Sequence, residues 1–434
     1  MKPPKIQKAI TPHPKPVYGW VIFIISVLFV FYKYILEVSP SIMTKQLMSE
    51  FKLDAAVVGH VAASYYYAYT IMQIPGGLLI DTFGPRKTTT VGLLCCALGA
   101  LLFGYSQNVF LMASSRFLIG IGATFAILNI FKINSNWFPA HKFALLAGLT
   151  LSLGILGAVF GQAPLSHLIN FIGWRQSFID LAIFGFIFSA IFFLVVRDKP
   201  HHPAYDVTPP TQGKVKLSVA LLHTIKRGQT WVLSIYSGLS FAPVLSFAGL
   251  WGVAFIEAKY HVDRTTASFL TSLVFIGFAV GAPLFGWYSS FIGKRKPVMF
   301  WGTLIAFILL TLAIYLPPIP FFLYAILQFF IGFSISAFLL SFSVIHEINV
   351  PLMTATAIAI MNTLNALFGA ITDPLIGWFL DLTKHTPLQD GTPTFSLNDY
   401  HLSFAIMPLY LLICVILLKF IKETNCIQTV QDKP

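Results

Sequence analysis

Lys33 and Glu37 stand one helical turn apart inside a long apolar run. That i, i+4 spacing puts an ammonium and a carboxylate on one helix face, and an ionised side chain at membrane depth is costly unless it has a partner or a task. Two readings stay open. In one, Lys33 anchors an arriving anionic group and releases Glu37, which takes up a proton rather than remain an uncompensated buried charge. In the other, the two form a static pair near the membrane interface, with Lys33 snorkelling. Tyr65 and Tyr69 share a face of the next run and can donate hydrogen bonds to a polar solute, whereas Tyr66 and Tyr67 are expected to point elsewhere. Arg116 is a second buried cation, either a coupling or solute-binding group or a cap on carbonyls of neighbouring helices. Asn129 extends the face below it, and Lys132 reads as an interface lysine. Farther along, Phe247 and Trp251 share a face, as do Asn362 and Asn365; they are cavity walls or packing and interhelix contacts. Asp373, just before Pro374, is a second acid able to carry a proton, or to accept a hydrogen bond where proline frees the backbone.

Side chains of this kind need a scaffold, and composition restricts what it is. The 434 residues are 56% hydrophobic and 10% charged, with mean hydropathy +0.78, against roughly 25% charged in soluble domains. A large soluble enzyme is excluded. The net charge of +12 forms short clusters between apolar runs rather than one stripe, so nucleic acid is not the expected partner; the lipid bilayer is. Cys95, Cys96, Cys414 and Cys426 show no metal spacing and read as packing residues. The sequence has no phosphate loop of the Gly-x-x-x-x-Gly-Lys-Ser/Thr type and no zinc, haem or nucleophile constellation, so neither a cofactor nor an enzymatic activity is expected. No cleavable signal peptide is expected either, because the first sixteen residues carry four lysines and five prolines.

Reading for runs of about 20 apolar residues predicts twelve spanning helices: 18–40, 55–80, 88–105, 109–131, 143–169 and 177–196, then 230–257, 265–291, 297–316, 320–345, 354–380 and 401–421. The fold expected is an all-α membrane protein of two pseudo-symmetric six-helix bundles. Residues 1–17 form a tail, 18–196 the first bundle, 197–229 a polar linker, 230–422 the second bundle and 423–434 a second tail. Nineteen of the 28 lysines and arginines fall in the tails, the linker and alternate loops, which predicts cytoplasmic termini and linker. The absence of Asn-x-Ser/Thr sequons favours a bacterial inner membrane.

The two halves repeat. Gly77, Asp81, Gly84, Arg86 and Lys87 after the second span match Gly286, Ser290, Gly293, Arg295 and Lys296 after the eighth, in the same register 209 residues apart. This pattern resembles the cytoplasmic loop motif of the major facilitator superfamily, Gly-x-x-x-Asp-x-x-Gly-x-Arg-Lys. Arg116-x-x-x-Gly120-x-Gly122 is similar to a second motif of that family. The resemblance implies a cytoplasmic gate in which Gly77 lets helices approach and Asp81 pairs with Arg86; Ser290 makes the second copy weaker or differently built. Glu347 resembles a gating acid. Gly148, Gly157 and Gly161 keep the glycine spacing of the family's antiporter motif, but Gln162 replaces its proline, so they read as close-packing positions. The Gly173–Phe178 element reads as an interface anchor.

The resemblance, together with the buried positives Lys33 and Arg116, implies a monomeric secondary transporter that moves a small organic anion or zwitterion, such as a carboxylate, amino acid or short peptide. The segment before Pro40 is similar to the family's organic-anion symporters. Proton coupling would rest on Glu37 and Asp373. The rivals are an exporter of drugs or siderophore-like metabolites and a non-transporting membrane receptor.

Overall fold

The computed structural model describes residues 16–138, 143–199, 224–349, 351–383 and 395–427. Most of the two expected tails, the linker from 200 to 223, Lys142 and Lys384 lie outside the described residues. Twelve long helical segments follow one another, and no strand occurs among the described residues.

In the first bundle α1 is Pro16–Val38, continued by a 3-10 turn at Ser39–Ile42; a short helix, Thr44–Phe51, precedes α2, Ala55–Phe83. Then come α3 (Pro85–Gly104), α4 (Val109–Trp137), α5 (Phe143–Phe160, resuming over Ala163–Ile172) and α6 (Trp174–Val195). In the second bundle α7 runs over Gly228–Pro243, a π-helical stretch Val244–Trp251 and Gly252–Tyr260. It is followed by α8 (Arg264–Ile292), α9 (Lys296–Tyr315) and α10 (Phe321–Ile335, a 3-10 turn Ser336–Leu339, Leu340–Ile348). The last two are α11 (Pro351–Thr383) and α12 (Leu397–Phe404 and Ile406–Leu417).

Eleven of these segments are both long and apolar enough to cross a membrane. The exception is α2, whose 29 residues are long enough but whose four tyrosines, His60, Gln73 and Asp81 lower its hydropathy. It packs against α4 and α11 rather than facing lipid alone, which is why a polar helix is tolerated there. Local signals set the ends. Asn108 caps α4 through its Oδ1 and the Leu111 N–H (2.8 Å), Asp263 caps α8, and Ser396 with Asp399 forms a capping box for α12. Five expected spans prove to be interrupted, three of them beside Pro40, Gln162 and Pro243, because proline or a side-chain bond replaces the regular backbone ladder there.

The bundles are joined on the side opposite the termini, here called the distal side. Gln162 donates to the Ala248 carbonyl (2.8 Å), Lys45 pairs with Glu257 (2.6 Å), Arg264 bonds Asn170 and the Ile42 carbonyl, and Asp381 accepts from the backbone of Ala55 and Ala56. Among the described residues none of these joins lies on the terminal side. There Gly77, Gly148 and Gly286 have nothing within 4 Å of where a Cβ would stand. Among the described residues the side-chain bonds between the bundles all lie distally and none at the terminal face.

Candidate functional site

Lys33 and Glu37 on α1 are buried (4% and 6% exposed) and face the protein interior, not lipid. The Lys33 ammonium donates to Glu37 Oε2. Two tyrosines complete the carboxylate's environment: Tyr65 donates to Oε2 (3.1 Å) and Tyr66 to Oε1 (3.3 Å). The expectation that Tyr66 turns away is therefore corrected. Neighbouring helix positions diverge by about 100°, but Glu37 lies between them and its two oxygens take one hydroxyl each. Lys33 also sits 3.7 Å from the Tyr34 ring centroid and 5.5 Å from that of Tyr69, within the reach of cation–π attraction. Tyr69 stacks on Tyr65 at 6.0 Å and 14°. Sequence reasoning missed Tyr34; its signal was adjacency to Lys33 in an aromatic-rich helix.

Arg116 is 1% exposed. Its guanidinium donates to the carbonyls of Leu36 and, at 3.0 Å, Glu37, and lies 5.2 Å from the Tyr65 ring. The local cause is Pro40, which has no N–H for the Leu36 carbonyl four residues back. Of the two readings of Arg116, the cap on a neighbouring helix is the one this conformation displays. Gly120 makes it possible, since a Cβ there would stand 2.2 Å from the Tyr65 carbonyl; α2 and α4 touch backbone to backbone, bringing Tyr65 against Arg116. Gly157 does the same for α5 against Phe31 of α1, and Gly161 packs on Ile35 and Val38, whereas Gly148 stands in open space, against the close packing expected of it.

The second bundle contributes Asp373 (1% exposed), within electrostatic reach of Arg116 and Glu37. Its Oδ1 has no hydrogen-bond partner among the described residues, and its backbone carbonyl accepts from Trp251 Nε1 (3.2 Å). Lys33 and Arg116 against Glu37 and Asp373 make two positive and two negative buried groups close to the bundle interface. Asn129 and Asn365 are buried with amide atoms lacking partners among the described residues, whereas Asn362 is half-buried. Phe247 is not a wall: it packs edge-on against Phe255 and Phe404 (6.0 and 5.9 Å). A cavity of about 290 Å³ lies away from Lys33, at the distal rim between Ser41–Gln46, Glu257, Asp263 and Arg264.

At the terminal face the loop motif is wired differently from expectation. Asp81 pairs with Lys132 (2.6 Å), not with Arg86. Arg86 donates through Nε to the Phe193 carbonyl (2.8 Å), and its backbone N–H goes to Asp198 (2.7 Å). Gly84, at φ +83°, faces that same carboxylate. A Cβ on Gly77 would meet nothing within 4 Å, so the close helix approach expected to bring Asp81 to Arg86 is not made there. No contact made by Lys87 stands out. In the second copy, Arg295 pairs with buried Glu347 (2.8 Å) and also donates to Ser289 and Ser290. The Gly173–Phe178 element locks the distal end through Glu50, which accepts from Trp174 (2.9 Å) and pairs with Arg175 (2.6 Å).

Comparison with known proteins places this architecture. The family profile described as Major Facilitator Superfamily matches residues 20–257 and 238–425. The D-galactonate transporter of Escherichia coli O6:H1 is 23% identical over 290 residues, covering 60% of this chain and 65% of that protein. The hexuronate transporter of Bacillus subtilis is 24% identical over 272 residues, covering 60% and 62%. The chain thus spans less than two thirds of the length of these relatives. A solved structure of a bacterial homolog to the human lysosomal transporter Spinster, inward-facing and unoccupied, superposes with a TM-score of 0.72 over 93% of this chain and 95% of that one, at 15% identity. The profile match covers both bundles, and the chain belongs to the Major Facilitator Superfamily.

Proposed function

We propose that this protein is a secondary transporter that carries a small organic anion or zwitterion across a membrane by rocking its two bundles about the Lys33–Glu37 site. The observation that carries the reading is the buried Lys33–Glu37 pair with Tyr65 and Tyr66 on its carboxylate. An arriving carboxylate can replace Glu37 at Lys33 without building a new cationic site, and the tyrosine hydroxyls offer it ready donors.

Charge balance supplies the coupling. With both carboxylates ionised, the four buried groups sum to zero. A bound monoanion alone would leave one uncompensated negative charge in an apolar interior, which is costly. A monoanion with one proton on Glu37 or Asp373 restores neutrality, so the two travel together as symport. The sugar acids named in its relatives' titles belong to the class such a site would accept. The lysine and arginine distribution supports cytoplasmic termini, and on that reading the open face is the inner one.

The test is a thermal-shift screen of purified protein against sugar acids, short carboxylates, amino acids, peptides and neutral sugars, followed by uptake of the best ligand into proteoliposomes. Stabilisation by carboxylates alone, and uptake driven by an imposed pH gradient, are expected. Stabilisation by neutral sugars with no response to carboxylates would end the anion reading, and uptake indifferent to the gradient would end the coupling.

A further inference from the structure

The N-terminus of α2 is capped by a residue of the other bundle. Asp381, near the end of α11, accepts from the backbone N–H groups of Ala55 (3.0 Å, Oδ1) and Ala56 (2.8 Å, Oδ2). Asp54 occupies the N-cap position but makes no cap bond to the helix. A carboxylate at a helix N-terminus satisfies exposed donors and meets the positive end of the dipole. Two glycines let the helices close around this contact. A Cβ on Gly377 would stand 2.4 Å from the Ala55 carbonyl, and one on Gly59 would stand 2.6 Å from the Asp373 carbonyl.

The internal repeat gives this contact a counterpart. With the 209-residue offset of the loop motifs, Asp54, Ala55 and Ala56 correspond to Asp263, Arg264 and Thr265 at the start of α8. There Asp263 caps its own helix, bonding the N–H groups of Thr265 and Thr266 (2.9 and 3.1 Å). The opposite bundle contributes a neutral side chain instead: Asn170 of α5 bonds Arg264 and the Thr265 hydroxyl. So the same place in each repeat meets the other bundle, once through a carboxylate on backbone N–H groups and once through an amide on the Arg264 and Thr265 side chains.

We propose that these two contacts are paired latches that hold the distal side shut, and that the Asp381 contact is the stronger because its carboxylate takes two backbone N–H groups at the positive end of α2. Opening the distal side separates α11 from α2 and strips that cap, so the latch favours the conformation open at the terminal face. This rests on the alternating-access reading above, but it concerns the conformational balance and not the solute.

The experiment measures the distance between spin labels at two exposed distal loop positions, Gln107 and Pro318. The labels are attached through ketone-bearing noncanonical residues so that the four native cysteines stay untouched. In the unliganded full-length protein one short-distance population is expected. Asp381→Asn and, separately, Gly377→Ala are each expected to raise the ratio of long to short distances about tenfold, equivalent to about 1.4 kcal/mol. Should one variant fail to fold, the other carries the test. An unchanged distribution overturns the proposal, and so does a lowered melting temperature without redistribution, which would make Asp381 a helix cap and nothing more. Absence of uptake by wild-type protein would sink the transport reading while leaving a redistribution intact.

Discussion

Tyr66 and Lys33 bind the same carboxylate from different helices. Tyr66 reaches Glu37 Oε1 from α2, while Lys33 reaches Oε2 from one turn earlier on α1. Glu37 is therefore held on both carboxylate oxygens, and Lys33 is the only cation bonded to that carboxylate among the described residues.

Removing one member of a buried pair leaves an uncompensated charge, which costs about 3–5 kcal/mol, whereas replacing both by apolar groups of similar volume is often neutral. Lys33→Ala is thus expected to lower stability by about 3 kcal/mol and abolish stabilisation by carboxylate ligands. The double variant Lys33→Met/Glu37→Leu should regain most of the stability without the ligand response. Thermal melts with and without ligand separate the two effects. A double variant that still responds to ligand would remove Lys33 from the site.

Glu37→Gln keeps the shape and one acceptor oxygen for a tyrosine hydroxyl but cannot exchange a proton. If Glu37 carries the coupled proton, this variant binds carboxylates and exchanges them across vesicles, yet no longer accumulates them against a pH gradient. Counterflow and gradient-driven uptake measured on the same vesicles decide the matter. Full retention of gradient-driven accumulation would move the proton to Asp373.

Much of this was legible in the sequence. The Lys33–Glu37 pair follows from i, i+4 spacing, and the bundle architecture from apolar runs and an internal repeat. What escaped depended on partners from other elements. Phe247 packs against Phe404 of α12 as well as Phe255 of its own helix, and spacing along one helix does not announce such a partner. Tyr66 joined the site because its target lies between two helix faces, which spacing on one helix cannot reveal. The Asp81–Arg86 pair failed for a different reason. A gate residue takes its partner from the conformation, and at an open terminal face Lys132 is the nearer cation.

The two terminal-face pairs should differ in worth. Asp81 and Lys132 are well exposed (66% and 39% of the side chains), whereas Arg295 and Glu347 are nearly buried (11% and 9%). Exposed pairs contribute about 0–1 kcal/mol, and a buried partner left alone costs several times more. Asp81→Asn is therefore expected to leave the melting temperature nearly unchanged, while Glu347→Gln lowers it by several degrees. Equal shifts would mean that burial does not separate these pairs.

Glu423 just beyond α12 supplies a pH-dependent contribution to stability. Burial pushes its carboxyl up, but backbone bonds from Arg295, Asn425, Lys296 and Thr424, at 2.8–3.0 Å, more than offset this and hold it below the ordinary glutamate value. A carboxylate whose proton affinity is lower in the folded protein stabilises the fold at any pH above its unfolded pKa. That contribution is lost as pH falls through the lower, folded value. Glu423→Gln should thus melt below wild type at pH 7, with the gap unchanged down to about pH 5 and closing below about pH 4, near the unfolded glutamate pKa. Because the carboxylate caps the start of α9, the expected gap at neutral pH is about 0.5–2 kcal/mol. Parallel melts from pH 3.5 to 7.5 check it: no gap at pH 7 would show that the amide caps α9 as well as the carboxylate does, and a gap constant throughout would show that ionisation of Glu423 is not its source.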